Sequence, residues 1–236
     1  MQKILSPRGI AFLVLFAALA YVALQINVFA MQGVTGKGFT LFEFFGPIAG
    51  AFIGIAGIAA IGAAKLVNAA MTGAPLGIVD LAKLTPMDLL KLTPMMFAAY
   101  YFWKHGSKLH DDLSMLVPVV AMFAFWLHPV GQQAWYYALY WLVPIIAKFL
   151  PNRLFLRSLG ATFTAHAMGS VLFLYTINTT PALWIALIPI VAIERAAFAL
   201  GIAGSHVLFT NILNQVDRMW GIAKYVTVEK RYLLHI

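Results

Sequence analysis

The chain contains no cysteine among its 236 residues, which removes disulfides, thiolate nucleophiles and cysteine-ligated metals and leaves the redox compartment open. Charge is scarce too. Asp, Glu, Lys and Arg make up 10% of the sequence, and they never gather into a stretch long and polar enough for a separate soluble domain. Catalytic signatures are also missing: there is no nucleophile elbow, Walker loop, HExxH pair or dense acidic cluster. The sequence therefore argues against an enzyme, assigns no catalytic residue and no metal site, and names no cofactor.

What fills the chain is apolar. Hydrophobic residues make up 62% of it and the mean hydropathy is +0.87, far outside soluble-domain usage. The expected class is all-α: a polytopic integral membrane bundle, with residues 1–236 forming one transmembrane domain. The net charge of +8 is read as basic loops against anionic lipid, with no nucleic acid partner. Gly9–Phe29 lacks a small-x-small cleavage site before a polar mature chain, so it reads as a retained first span rather than a signal peptide.

Uncharged runs place the other spans. Gly46–Lys65 is the second, Leu113–Ala147 holds two that turn at His128-Pro129-Val130-Gly131, and Ser158–Ile177 with Ala182–Thr210 form a final hairpin. Leu92–Trp103 is short for a crossing. If it does not cross, there are six spans with both termini cytoplasmic, and every Lys and Arg is cytoplasmic except Lys37 outside and Arg195 within the membrane. If it does cross, there are seven, and Lys3, Arg8, Lys65, Lys83 and Lys91 move outside. Charge favours six. Before it stands a repeat, Lys83-Leu-Thr-Pro-Met87 and Lys91-Leu-Thr-Pro-Met95, which predicts two helix starts eight residues apart, capped by Thr85 and Thr93. It serves as a solvated connector or as a docking surface.

Small residues recur every fourth position at Gly46, Gly50 and Gly54, at Ala161, Ala165 and Gly169, and at Ala197, Gly201 and Ser205. Such ridges let helix backbones approach closely, either within the chain or against another subunit.

Three segments taken together resemble the substrate-binding S component of energy-coupling-factor vitamin transporters. Leu15-Phe-Ala-Ala-Leu-Ala-Tyr-Val-Ala-Leu-Gln25 is similar to that family's alanine-rich first helix, and Phe45-Gly-Pro-Ile-Ala-Gly-Ala-Phe-Ile-Gly54 to its Gly-Pro signature. Met95–Lys108 looks like a later helix with a basic turn. Over roughly the first 110 residues the resemblance implies a membrane subunit that binds a small vitamin-like substrate beside other membrane subunits. Ala17, Ala20 and Ala23 are then the packing positions, spaced by three where the family's alanines recur every four. A second reading is a non-catalytic structural or accessory subunit of a larger membrane complex.

Two sets of polar residues are candidates for a site. Glu194 and Arg195 interrupt the apolar run Pro181–Asn211, where an ionisable side chain costs several kcal/mol unless it finds a partner or water. At ~1.5 Å per residue, His166 and Glu194 lie at equal depth on either side of the turn near Thr180. That predicts a His166–Glu194 pair, with Thr162, Thr164 and Ser170 as further partners. Adjacent side chains sit about 100° apart on a helix, so Arg195 is expected to reach another helix or the interface. The second set surrounds the external turn: Trp126, His128, Gln132, Gln133, Trp135, Tyr136, Tyr137, Tyr140 and Trp141, joined by Glu43. These form either an interfacial aromatic belt or a pocket for a flat ligand. His105 and His110 are expected to be solvated and His206 to snorkel, and His235 is terminal.

Overall fold

Proline opens five of the eleven α-helices among the described residues, because the first turn needs no amide hydrogen and proline's φ is already helical. The computed structural model describes residues 6–30, 38–72, 86–107 and 112–234. In α1 (Pro7–Gln25), the Ser6 hydroxyl caps the start by accepting from the Gly9 amide at 3.2 Å. A small antiparallel hairpin follows, β1 (Asn27–Ala30) paired with β2 (Gly38–Thr40). Next come α2 (Phe42–Phe45), a 3-10 turn over Gly46–Ile48, α3 (Ala49–Ile53) and α4 (Ile55–Thr72). The helices α5 (Pro86–Leu92) and α6 (Pro94–Lys104) begin at the two repeat prolines, with the expected spacing. Thr93 does not cap α6; its hydroxyl donates to the Leu90 carbonyl at 2.6 Å. Thr85 lies outside the described residues.

The second half comprises α7 (Leu116–Leu127), α8 (Pro129–Gln133), a 3-10 segment over Trp135–Trp141, α9 (Leu142–Phe149), α10 (Leu154–Thr176) and α11 (Pro181–Trp220). His128 caps α8 through Nδ1, which accepts from the Val130 amide at 3.2 Å. The Thr180 hydroxyl accepts from the Leu183 amide at the start of α11. That helix ends at Gly221, whose φ of 62° is the left-handed stop that favours glycine.

The architecture is all-α apart from the hairpin, and it departs from the expected spans in three places. The first helix stops at Gln25 and its expected last turn becomes β1. The second span is not one helix: Gly54 adopts φ 61° and ψ −140°, which breaks the rod between α3 and α4. The return leg after His128 is built from α8, the 3-10 segment and α9 rather than one span. The final hairpin forms as expected, turning over residues 177–180. Among the described residues α11 alone is long and apolar enough to cross a membrane by length and composition, and 28% of its most apolar window is buried. Gly9–Gln25, Phe42–Ile53, Ile55–Met71 and Leu113–Leu127 are shorter apolar helices.

Helix α10 is the central post, packed against α6, α7, α9 and α11. It separates two apolar clusters. One gathers α1, α2, α3, α4 and α6 around Phe42, Ile48, Phe52 and Phe102; the other gathers α7, the 3-10 segment and the start of α11 around Phe125, Trp141 and Trp184. The glycine ridge is used inside the chain. A Cβ on Gly50 would lie 2.6 Å from the Ala99 carbonyl oxygen, and one on Gly46 would meet Met95, so α6 rests directly on this backbone. Gly201 receives the Phe44 ring in the same way. Ala20 and Ala23 are buried and Ala17 is partly so. Here α1 faces α4, to which Gln25 Nε2 donates at Asn68 Oδ1, 2.7 Å away.

Beyond Gly221 the chain folds back as a strap. Ile222, Tyr225 and Val226 are buried in the first cluster, and the Thr227 amide donates to the Phe52 carbonyl at 2.8 Å. Asn211 holds the strap from α11, donating to the Tyr232 carbonyl and accepting from the Leu234 amide. Arg157 on α10 donates from Nε to the Phe102 carbonyl at 2.6 Å, lies 3.9 Å from the Phe102 ring centre and forms an ion pair with Glu229. His206 is fully buried here, stacked on Phe52 with ring centres 5.1 Å apart. It does not snorkel. His105 is also buried, 5.6 Å from the Tyr101 ring, and is not solvated. His110 and His235 lie outside the described residues.

Candidate functional site

A cavity of about 260 Å³ opens where the two clusters meet on α10 and α11. Helix α10 contributes Ala165, His166, Gly169, Ser170 and Phe173; α11 contributes Trp184, Leu187, Val191, Glu194 and Arg195. The far side is closed by Phe39 of β2, Glu43 of α2, Lys65 of α4, Pro94 and Met95 of α6, and Tyr137 of the 3-10 segment. Gly169 has nothing within 4 Å of its Cβ position, so the missing side chain leaves space rather than a close contact.

The depth argument puts His166 and Glu194 on the same cavity, as expected, but they do not pair. His166 Nδ1 accepts from Trp141 Nε1 at 3.2 Å, and its Nε2 lies 3.0 Å from Tyr137 Oη and 3.4 Å from Ser170 Oγ. An indole N–H can only donate, so Nδ1 must carry a lone pair and the one ring proton sits on Nε2. The tautomer is thus inferred from the network. A second proton on Nδ1 would point at the indole hydrogen, which rules out a His166 cation opposite Glu194 in this arrangement. With Nε2–H donating to Tyr137 Oη, the phenol's own proton is free to be donated to Ser170 or to an occupant.

Glu194 is held instead by its neighbour. Arg195 folds back so that one terminal nitrogen lies 3.4 Å from Glu194 Oε2, while the other donates to Thr162 on α10 at 3.3 Å. The side chain is long enough to overcome the 100° offset, so the expectation that adjacent residues cannot meet fails, whereas the expected reach to another helix is met. Arg195 is 4% exposed; its guanidinium lies 4.2 Å from the Phe198 ring centre and its Nε has no hydrogen-bond partner. Thr164 turns to its own helix, donating to the Gly160 carbonyl.

Of the candidates at the external turn, Glu43 and Tyr137 line the cavity. Gln132, Gln133, Trp135 and Tyr136 are exposed. Trp126 donates from its indole to the Trp135 carbonyl at 2.9 Å, and His128 caps α8 with its ring edge against Tyr175. None of these six residues lines the cavity. A 3-10 helix repeats every three residues, and the one here turns Tyr137, Ala138 and Trp141 inward while Trp135 and Tyr136 point away. Tyr137 thus reaches the cavity wall, while Trp141 holds His166 from outside the lining.

Lys65, expected as a cytoplasmic boundary charge, lines the cavity, with its ammonium 5.8 Å from the Phe42 ring centre. One signal for it was present in the sequence: the apolar run does not end there but continues through Leu66-Val67-Asn68-Ala69-Ala70-Met71. No group of three or more His, Asp or Glu able to hold a metal occurs among the described residues. No family model, curated protein or solved structure matches this chain.

Proposed function

We propose that this chain is a multi-pass membrane subunit that binds a small, vitamin-like molecule in the α10–α11 cavity and works with partner subunits in transport. The carrying observation is the cavity itself. A chain with so few charges directs Glu43, Lys65, Glu194 and Arg195 to one internal space, together with the Tyr137 and Ser170 hydroxyls and an aromatic wall. Convergent polar groups on an apolar, largely preformed cleft are the usual form of a small-molecule site, and 260 Å³ falls just below the ~300–1,000 Å³ of drug-sized pockets. The occupant is therefore small.

The membrane placement rests on composition and on outward-facing apolar side chains, such as Val14 and Leu15 on α1, Val120 and Phe123 on α7, and Ile193 and Leu200 on α11. We read six crossings, both termini cytoplasmic, and α6 as non-crossing. The sequence has no nucleotide-binding loop, so energy would come from a partner, and the proton on His166 Nε2 keeps that nitrogen from acting as a base towards Ser170. The accessory-subunit reading needs small-residue ridges free for contact, and those at Gly46, Gly50 and Gly201 are already filled within the chain.

Two experiments test the proposal. A thermal-shift screen of the detergent-purified protein against vitamins and related metabolites should show stabilisation by one class. A silent screen together with stabilisation by a protein partner alone would mean an accessory subunit. In this cysteine-free chain, thiols introduced at Gln2, Asp80, Ser107 and Lys230 should label from the cytoplasm and one at Gln132 from outside. External labelling at Gln2 with internal labelling at Ser107 would give seven crossings.

A further inference from the structure

The cavity holds more charge than its walls neutralise by contact. Glu194 and Arg195 partner each other, and the Trp141 bond keeps His166 neutral. Glu43 and Lys65 are different. Each lies within the other's electrostatic reach, yet among the described residues neither forms a hydrogen bond or an ion pair. Arg195 adds an Nε with no partner. Unpaired opposite charges facing the same space are costly to keep at bilayer depth, and these two could neutralise each other by direct contact but do not.

We infer that the occupant is a small zwitterion carrying a ring: Glu43 takes its cationic group, Lys65 and Arg195 take its anionic group, and the Tyr137 hydroxyl donates to a neutral acceptor. This rests on reading the cavity as a ligand site. The argument is one of charge balance. With His166 neutral, the wall carries two carboxylates against one ammonium and one guanidinium. An anion entering alone would strip water from Glu43 and leave it facing like charge; a cation would do the same to Lys65. A neutral molecule would desolvate both and pair neither. A molecule with both charges satisfies each wall group as it displaces that group's water. Phe173, Trp184 and Phe39 supply the surfaces for the ring.

The test uses the purified full chain and four pyridines of nearly one shape, measured by calorimetry: N-methylnicotinate (zwitterion), nicotinate (anion), N-methylnicotinamide (cation) and nicotinamide (neutral). N-methylnicotinate should bind about tenfold tighter or more than the other three, a difference of about 1.4 kcal/mol. Glu43→Gln should shift the preference towards nicotinate, and Lys65→Met towards N-methylnicotinamide. Neither variant breaks a hydrogen bond or an ion pair among the described residues, so both should fold with a melting temperature close to or above that of the wild type, and a switch in ranking is read independently of absolute affinity. Equal affinity across the four, or a ranking unchanged in both variants, overturns the zwitterion assignment. If Gly169→Leu abolishes that indiscriminate binding, the cavity reading survives its loss. No binding by any of the four also overturns the assignment, and the cavity reading falls with it only if the wider metabolite screen is silent.

Discussion

The pair of Arg157 with Glu229 is where the strap meets the central post, and its energetics can be worked out from its surroundings. Removing one partner of a buried ion pair costs about 3–5 kcal/mol, because the other charge is left unpaired. Glu229→Gln should cost less, about 2 kcal/mol, since the Glu229 side chain is 22% accessible and water can reach the site. Arg157 would also keep the Phe102 carbonyl and ring. Arg157→Met should cost about the same, because Glu229 retains Arg231 at 2.9 Å, while the Phe102 carbonyl loses its donor. The double variant should then fall at least ~1 kcal/mol short of the sum of the two. Denaturant unfolding in micelles, followed by tryptophan fluorescence, would measure the cycle. The acid limb gives a second reading. Burial opposes the Glu229 charge, but Arg157, followed by His206 and Arg231, outweighs it and holds the carboxyl below its usual range. A depressed carboxyl contributes stability above its unfolded value of about 4.3 and loses it as pH falls through the folded value. Wild type should therefore lose stability below about pH 4, and Glu229→Gln should lose less. Strict additivity of the two substitutions, or an identical acid limb in Glu229→Gln, would refute the pairing as a stabilising contact.

Gly50→Ala should destabilise by about 1–3 kcal/mol, because the new methyl meets the Ala99 backbone, which cannot swing away as a side chain can. Gly204→Ala has open space at its Cβ and should instead gain up to ~1 kcal/mol from helix propensity; thermal melts of the two variants would decide. Tyr101→Phe should cost about 1–3 kcal/mol by leaving the buried Pro144 carbonyl without the donor it has at 2.7 Å, with no change in labelling topology. Burial, followed by the charges of Lys148 and Arg157, pushes the His105 ring down to about 4. Its neutral form supports the fold above the unfolded value of about 6.5 and that support drains away towards pH 4. His105→Phe should flatten the stability profile between pH 6.5 and 4, and an unchanged slope would mean that the ring is already solvated.

The final hairpin was legible because its signals are local: a Thr-Pro start, an uncharged run and a turn of Asn-Thr-Thr-Pro. Depth along a helix was legible too, since a constant rise places His166 and Glu194 on one cavity. Rotation about the axis was not. Whether His166 meets Glu194 or Tyr137 depends on how the 3-10 segment is set against α10, and apolar runs do not encode a change from 3.6 to three residues per turn. Gly54 shows the same limit. A glycine four residues after Gly50 reads as one more step in a ridge, yet its positive φ makes it the break between two helices. Lys65 was hidden by the habit of ending a span at the first charge.

The strap also orders events in time. The Ser6 hydroxyl donates to Tyr225 Oη at 3.1 Å across 219 positions of sequence, and Tyr225 belongs to a segment that follows every α-helix among the described residues. A ribosome delivers α1 long before the residue that ties it down exists. Helices can form as they emerge, because their hydrogen bonds are local, but contacts of such sequence separation are late and slow. The ledge of Phe52, Phe102 and His206 must therefore stay uncovered until the strap is made, and the nascent chain has an interval in which its apolar flank is open to whatever chaperone or partner meets it first.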